Sequence, residues 1–259
     1  MILGERGALP CGAVIVLGLA LAAPAAFAAP EEIQVYLDDL TTPGRFGLDV
    51  HNNYAVSAST TPDYEGARPP DHVYRFTPEF YYGLAPYLEL GLYVLTAVDR
   101  SNEWHADGAK LRLKYIAPHD ATQGAFWGLN LEVGQSDRAI AEQPWNYELK
   151  GIFGERFGRW LVAFNVDVDG ALSSHAGPAG VALDTRLGYA ISDGTQVALE
   201  AYDELGALTS PGGLHDLSQM LYLVVDTDLK VCDLNFGLGR GLTAASDGWV
   251  VKAIFGFHF

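Results

Sequence analysis

The chain has 259 residues, of which 32 are acidic and 16 basic, for a formal net charge of -16. A surface of that sign excludes a nucleic-acid partner, whose phosphates require clustered lysine and arginine. Aromatic residues at 12% and 29 glycines, set against only 19% charged residues, are the stock of short strands and turns.

Residues 1–28 read as a secretory signal peptide. Arg6 and the amino terminus form a weak positive region, and Cys11 to Ala23 is a nearly unbroken apolar run, short for a bilayer span. Ala26-Phe27-Ala28 fits the small-x-small cleavage rule, so the mature chain is expected to begin near Ala29. It then keeps one cysteine, Cys232, and no intrachain disulfide is possible. Residues 29–44 are expected to form a periplasmic N-terminal extension or a partial plug of a lumen. Ile33, Val35 and Leu37 do alternate, but a thirteenth strand would break the even strand count that follows.

From residue 45 onward the period is two, the spacing of strands with two different faces. Twelve strands are expected, over 45–56, 72–83, 86–97, 108–117, 124–136, 143–153, 158–168, 179–190, 194–204, 217–226, 229–240 and 248–259. Most are long enough for a tilted strand to cross a bilayer. Tight turns are expected near Leu84-Ala85-Pro86, Gly154-Glu155-Arg156, Ser192-Asp193-Gly194 and Asp226-Thr227-Asp228, and between them lie longer, acidic loops. Short turns on one side and long loops on the other are the periplasmic and extracellular signature of a membrane barrel. The expected fold is all-β, a transmembrane antiparallel up-and-down β-barrel of about 12 strands filling 45–259.

Alternation assigns the faces. Leu88, Leu90, Leu92 and Val94 share one side of their strand and oppose Glu89, Gly91 and Tyr93; Leu111, Leu113 and Tyr115 oppose Lys110, Arg112 and Lys114. Tyr74, Phe76, Phe80, Tyr82, Trp127, Trp145, Tyr147, Trp160 and Trp249 fall on the apolar side, as in the aromatic girdles of membrane proteins. Two places fit poorly: Asn52 lands on the lipid side, and Met220 to Val225 is apolar on both, so its register is unreadable.

The inward positions are charged: Arg75, Glu79, Glu89, Lys110, Arg112, Lys114, Glu132, Glu148, Lys150, Asp167, Asp184, Arg186, Glu200, Asp233 and Lys252 are the candidate lumen-lining residues. Two readings compete. These residues line a watered path that biases passage of a solute, or they form a salt-bridge network that fills the barrel, since unpaired charges in a narrow lumen are costly. Twelve strands lie between the roughly eight that side chains fill and the roughly sixteen that leave an open channel. Catalysis has little support, because the G-x-S-x-G and H-E-x-x-H motifs are both absent. The pieces available to a lipid hydrolase are Ser173, Ser174, His175 and the pair His215-Asp216. No cofactor is implied, and the scattered histidines suggest no metal site.

The chain ends Trp249-Val-Val-Lys-Ala-Ile-Phe-Gly-Phe-His-Phe259, with Phe255, Phe257 and Phe259 on the apolar face. This tail resembles the C-terminal strand of Gram-negative outer-membrane β-barrels, which ends in Phe. The resemblance implies an outer-membrane location, lipid as surroundings, and recognition of these three aromatics by the barrel-assembly machinery. More narrowly, Glu32-Ile-Gln-Val-Tyr36, Pro43 to Leu48, Leu111 to Tyr115 and Phe126 to Asn130 resemble uncharacterised proteobacterial barrels loosely akin to those of the meta-pathway of phenol degradation. That resemblance implies passive passage of a small, hydrophobic or aromatic solute and carries over no functional residue.

Overall fold

A strand that is greasy on one side and wet on the other finds no partner surface in a flat sheet exposed to lipid, because its edges would leave backbone groups unsatisfied. Closure resolves this. The computed structural model describes residues 32–259 apart from His175; the expected signal peptide, residues 1–28, lies outside the described residues. The wall is built by β1 (Phe46–Ser57), β2 (Tyr74–Ala85), β3 (Leu88–Val98), β4 (Trp104–Ile116), β5 (Gly124–Ser136) and β6 (Trp145–Phe157). It continues through β7 (Trp160–Ala171), β8 (Gly180–Ser192), β9 (Thr195–Ala207), β11 (Gln219–Asp228), β12 (Asp233–Gly241) and β13 (Trp249–His258). A two-residue strand, β10 (Ser210–Pro211), only folds back on the end of β9. Every wall strand pairs antiparallel with its neighbour, and β13 pairs with β1 through Val50↔Phe255 and Asn53↔Lys252. The result is a closed twelve-stranded up-and-down barrel with no free edge.

The faces follow the alternation. In β5, Leu129 and Leu131 are exposed on the outside, while Asn130 and Glu132 are buried inside. In β11 the pattern that sequence leaves unreadable resolves: Leu221, Leu223 and Val225 face out, and Met220, Tyr222 and Val224 are buried in the lumen. Asn52 does face outward. It survives there because its amide donates to the carbonyls of Val50 and Ala253 and its oxygen accepts from the Tyr74 hydroxyl, so no polar atom is spent on lipid. We expect Leu131→Arg, near the middle of β5, to lower stability by about 2–4 kcal/mol, the depth-dependent cost of a cation on the lipid face. Urea titration of the folded barrel in lipid vesicles checks this.

Two turns sit elsewhere than expected. β6 continues to Phe157, and the reversal falls on Gly158-Arg159, where Gly158 at φ +62 supplies the left-handed conformation. Residues 226–228 remain in β11, and the chain turns at 229–232, with Lys230 at φ 69 and its N–H on Oδ1 of Asp228. The short turns (86–87, 158–159, 193–194) share the end where β1 starts and β13 finishes, the short-turn end of the barrel. At the other end the 58–73 loop is tied down: Arg68 binds Asp107 with two hydrogen bonds of 2.6 and 2.8 Å, and Arg100 reaches Asp71. Asp107, expected in a loop, lies buried in β4. The N–H of Ala58 and the adjacent His72 hold the Asp71 carboxyl below the usual carboxylate range.

The lumen as candidate functional site

The barrel interior is occupied. Residues 32–42 leave the short-turn end of β1 and run back inside the wall, with Ile33, Val35 and Tyr36 each 2% exposed. Their alternation is not that of a strand: Val35 and Tyr36 are successive, and both are buried, because the segment is surrounded on all sides. Its backbone finds side chains where a strand would find a ladder. The Tyr36 N–H donates to Oδ1 of Asn165 (2.7 Å), and Nδ2 of the same asparagine donates to the Tyr36 carbonyl (3.0 Å). Nζ of Lys252 donates to the Ile33 carbonyl at 3.0 Å, and the Thr41 N–H donates to Glu89 at 2.7 Å. Lower down, Asp38 sits between Arg156 (2.6 Å) and His119 (2.7 Å), and Pro43 bridges to Gly83.

Tyr36 is the centre of this contact. Its hydroxyl meets that of Tyr93 at 2.6 Å and donates to Glu132 at 3.2 Å. The charged groups of Arg112, Lys114 and Lys150 lie 5.7, 5.1 and 5.2 Å from the centre of its ring, a cation–π arrangement. Its neighbours Val35, Leu37 and Leu40 pack on an apolar patch of the wall made by Ile116, Phe126, Ile152, Leu161 and Ala163. Ile33 packs on a second patch made by Ala198, Met220, Tyr222, Val224 and Val250.

Around the segment, the sequence-assigned lumen residues gather in three ion-pair centres set by strand register. In the first, Arg112 bridges Glu79 (2.7 Å) and Glu89 (2.5 Å). In the second, Lys150 stands directly opposite Asp167 on the next strand (2.8 Å) and also reaches Asp184 and Glu148. In the third, Arg186 stands opposite Glu200 and holds it together with Asp226, while Lys252 donates to the second Glu200 oxygen at 2.5 Å and to the Tyr202 hydroxyl at 3.2 Å. Gly237 and Gly239 of β12 make room here: an added Cβ would lie 2.9 Å from Cε of Lys252 at one and 2.3 Å from the Tyr222 ring at the other. Lys114 pairs with Asp39 of the segment at 3.4 Å. Arg75 is buried, and Lys110 is half-buried beside the Glu132 strand. Asp233 is inward but exposed at the short-turn mouth, where it meets His258.

His51, Thr77, Asn130, Asn165 and Lys252, from five different strands, are 0% exposed. With the segment in place, water does not reach them. Sequence reading places Tyr93 on the inward face but names neither it nor His51, Asn53 and Tyr202 among the lumen candidates, and gives no role to the segment's Glu32, Tyr36, Asp38 and Asp39. The inward parity was available for the wall residues; for the segment no periodicity announces a chain that touches wall on every side. Phe255 and Phe257 are half-buried and Phe259 is exposed along the outer face of β13, with the Phe259 N–H on the Phe46 carbonyl. Ser173 and Ser174 lie in the β7–β8 loop, whose His175 is outside the described residues, and His215 and Asp216 are exposed in the β10–β11 loop.

Among solved structures the chain is similar to an outer membrane channel from Pseudomonas putida F1, with a TM-score of 0.63 at 14% identity over 88% of this chain and 100% of that one. It is also similar to the KdgM porin (TM-score 0.55, 11% identity, 82% of this chain and 99% of that one) and the NanC porin (0.50, 11%, 81% and 97%). The fold is that of Gram-negative outer-membrane β-barrel channels. No protein-family model and no curated protein matches the sequence.

Proposed function

We propose that the protein is an outer-membrane channel for diffusive passage of a small solute with hydrophobic or aromatic surface, and that residues 32–42 close it in the conformation described. The observation that carries this reading is the pair of apolar patches on the lumen wall, covered by Ile33, Val35 and Leu37 of the segment. When the segment leaves, a solute meets apolar wall between ion pairs that already satisfy one another, a lining that suits an amphipathic molecule better than a bare ion. The similar solved structures, described as channel and porins, agree with this role. The role requires no catalytic residue and no cofactor.

The proposal includes export with cleavage after Ala28, lipid around the outer belt, and recognition of Phe255, Phe257 and Phe259 by the assembly machinery. The second reading, a closed structural barrel, draws on the dry mid-lumen belt. Planar-bilayer recording of the folded mature protein decides between them: discrete current steps are expected. Silence from both the mature protein and a folded variant lacking the segment would remove the channel reading.

A further inference from the structure

We propose that Glu32, His51 and Glu79 form a binding site for one divalent first-row metal ion, zinc fitting best. The donors come from three elements: the segment inside the lumen, β1 and β2. One ligand atom from each lies within 4.8 Å of the others. Zinc bonds of about 2.0–2.2 Å in a tetrahedron place donors about 3.3 Å apart, so a modest closing of the Glu32 side chain completes the geometry. One imidazole nitrogen with two carboxylate oxygens is a zinc donor set, with a fourth position for water.

Two observations beyond the cluster point to an ion. Oε1 of Glu32 and Nδ1 of His51 are buried with no hydrogen-bond partner, and such orphans are rare and costly. The contact between Nε2 of His51 and Oε2 of Glu79 is 3.4 Å, longer than a good hydrogen bond. The charges are also out of balance. Arg112 pairs with Oε1 of Glu79 and with Glu89 and also bears on Glu32, leaving Oε2 of Glu79 toward the histidine, while Lys114, which bears on Glu79, is held by Asp39. Lys150 also bears on Glu32, but it is engaged by Asp167, Asp184 and Glu148; Asp49 adds a further acid beside His51. A dication offsets this excess beside His51 and Glu79, which are 0% and 2% exposed.

Bound there, the ion joins the segment to the wall. This consequence, unlike the site itself, rests on the reading of residues 32–42 as the closure. The test is calorimetric titration of zinc chloride into the folded mature protein in detergent. Wild type is expected to bind one ion tightly, and Glu32→Gln, which leaves the wall intact, is expected to weaken it by at least about tenfold. His51→Gln is expected to do the same. His105→Ala removes a member of the exposed Asp99, Glu103 and His105 cluster and is expected to leave that tight ion in place. Absence of tight binding in wild type, or equal binding in wild type, Glu32→Gln and His51→Gln, overturns the site. Zinc binding by a barrel that never conducts would retain the site while discarding the channel.

Discussion

Deleting residues 29–42 from the mature protein is expected to turn a mostly closed barrel into one with steady current in planar bilayers. Backbone closure of the wall does not depend on this stretch, because β1 pairs with β2 and β13 through its own residues. The segment's hold on the wall rests on a few buried side chains and side-chain hydrogen bonds, with Tyr36 making the largest share of contacts. Truncating a buried aromatic costs about 3–5 kcal/mol. Applied to a closed–open equilibrium, that is roughly two to four orders of magnitude in the ratio of the two states. Tyr36→Ala is therefore expected to raise the open fraction steeply at unchanged single-channel conductance, whereas the deletion changes the conductance itself. Tyr36→Phe keeps the ring among the three cations and loses only the hydroxyl contacts, so it is expected to fall between wild type and Tyr36→Ala. Currents identical in wild type, Tyr36→Ala and the deletion would show that the segment does not close the path.

The largest expected loss of stability comes from Glu200→Gln. Glu200 lies between Arg186 and Lys252, and both cations are buried, Lys252 completely. Removing the acid leaves Arg186 with Asp226 but leaves Lys252 with no anion, facing a carbonyl, a hydroxyl and the Tyr202 and Tyr222 rings. Breaking a buried pair from one side costs about 3–5 kcal/mol, because the remaining charge stays out of water. For a chain of this size the melting temperature is expected to drop by about 10 °C, read from the loss of the heat-resistant folded band in gels. The double variant Glu200→Gln, Lys252→Met removes both charges and is expected to recover most of that loss. A double variant as unstable as the sum of the two single ones would contradict the pairing.

The wall of this molecule was readable from sequence because lipid and lumen make opposite demands on successive residues. Leu129, Asn130, Leu131 and Glu132 show that alternation without interruption, the leucines exposed and the polar pair buried. Where both sides of a strand are apolar, as at Met220 to Val225, nothing in the residues tells hydrocarbon from the apolar lumen patch beside Ile33. The turn after β6 was misplaced because Gly154 offers a glycine four residues early; its role is to pass beneath the Phe126 ring, 2.2 Å from where a Cβ would stand. The segment's course was illegible for a different reason. Its contacts join residues as far apart as Ile33 and Lys252, and no local pattern records them.

That bond between Ile33 and Lys252 also bears on how the molecule comes together. Lys252 belongs to β13, which completes the ring by pairing with β1, the most sequence-distant pairing in the wall. The strand that closes the ring thus also carries the ammonium that fastens residue 33 inside it. Pairing β13 with β1 and seating that ammonium under the Ile33 carbonyl share one strand, so a change that loosens the seam is expected to loosen the inner segment with it.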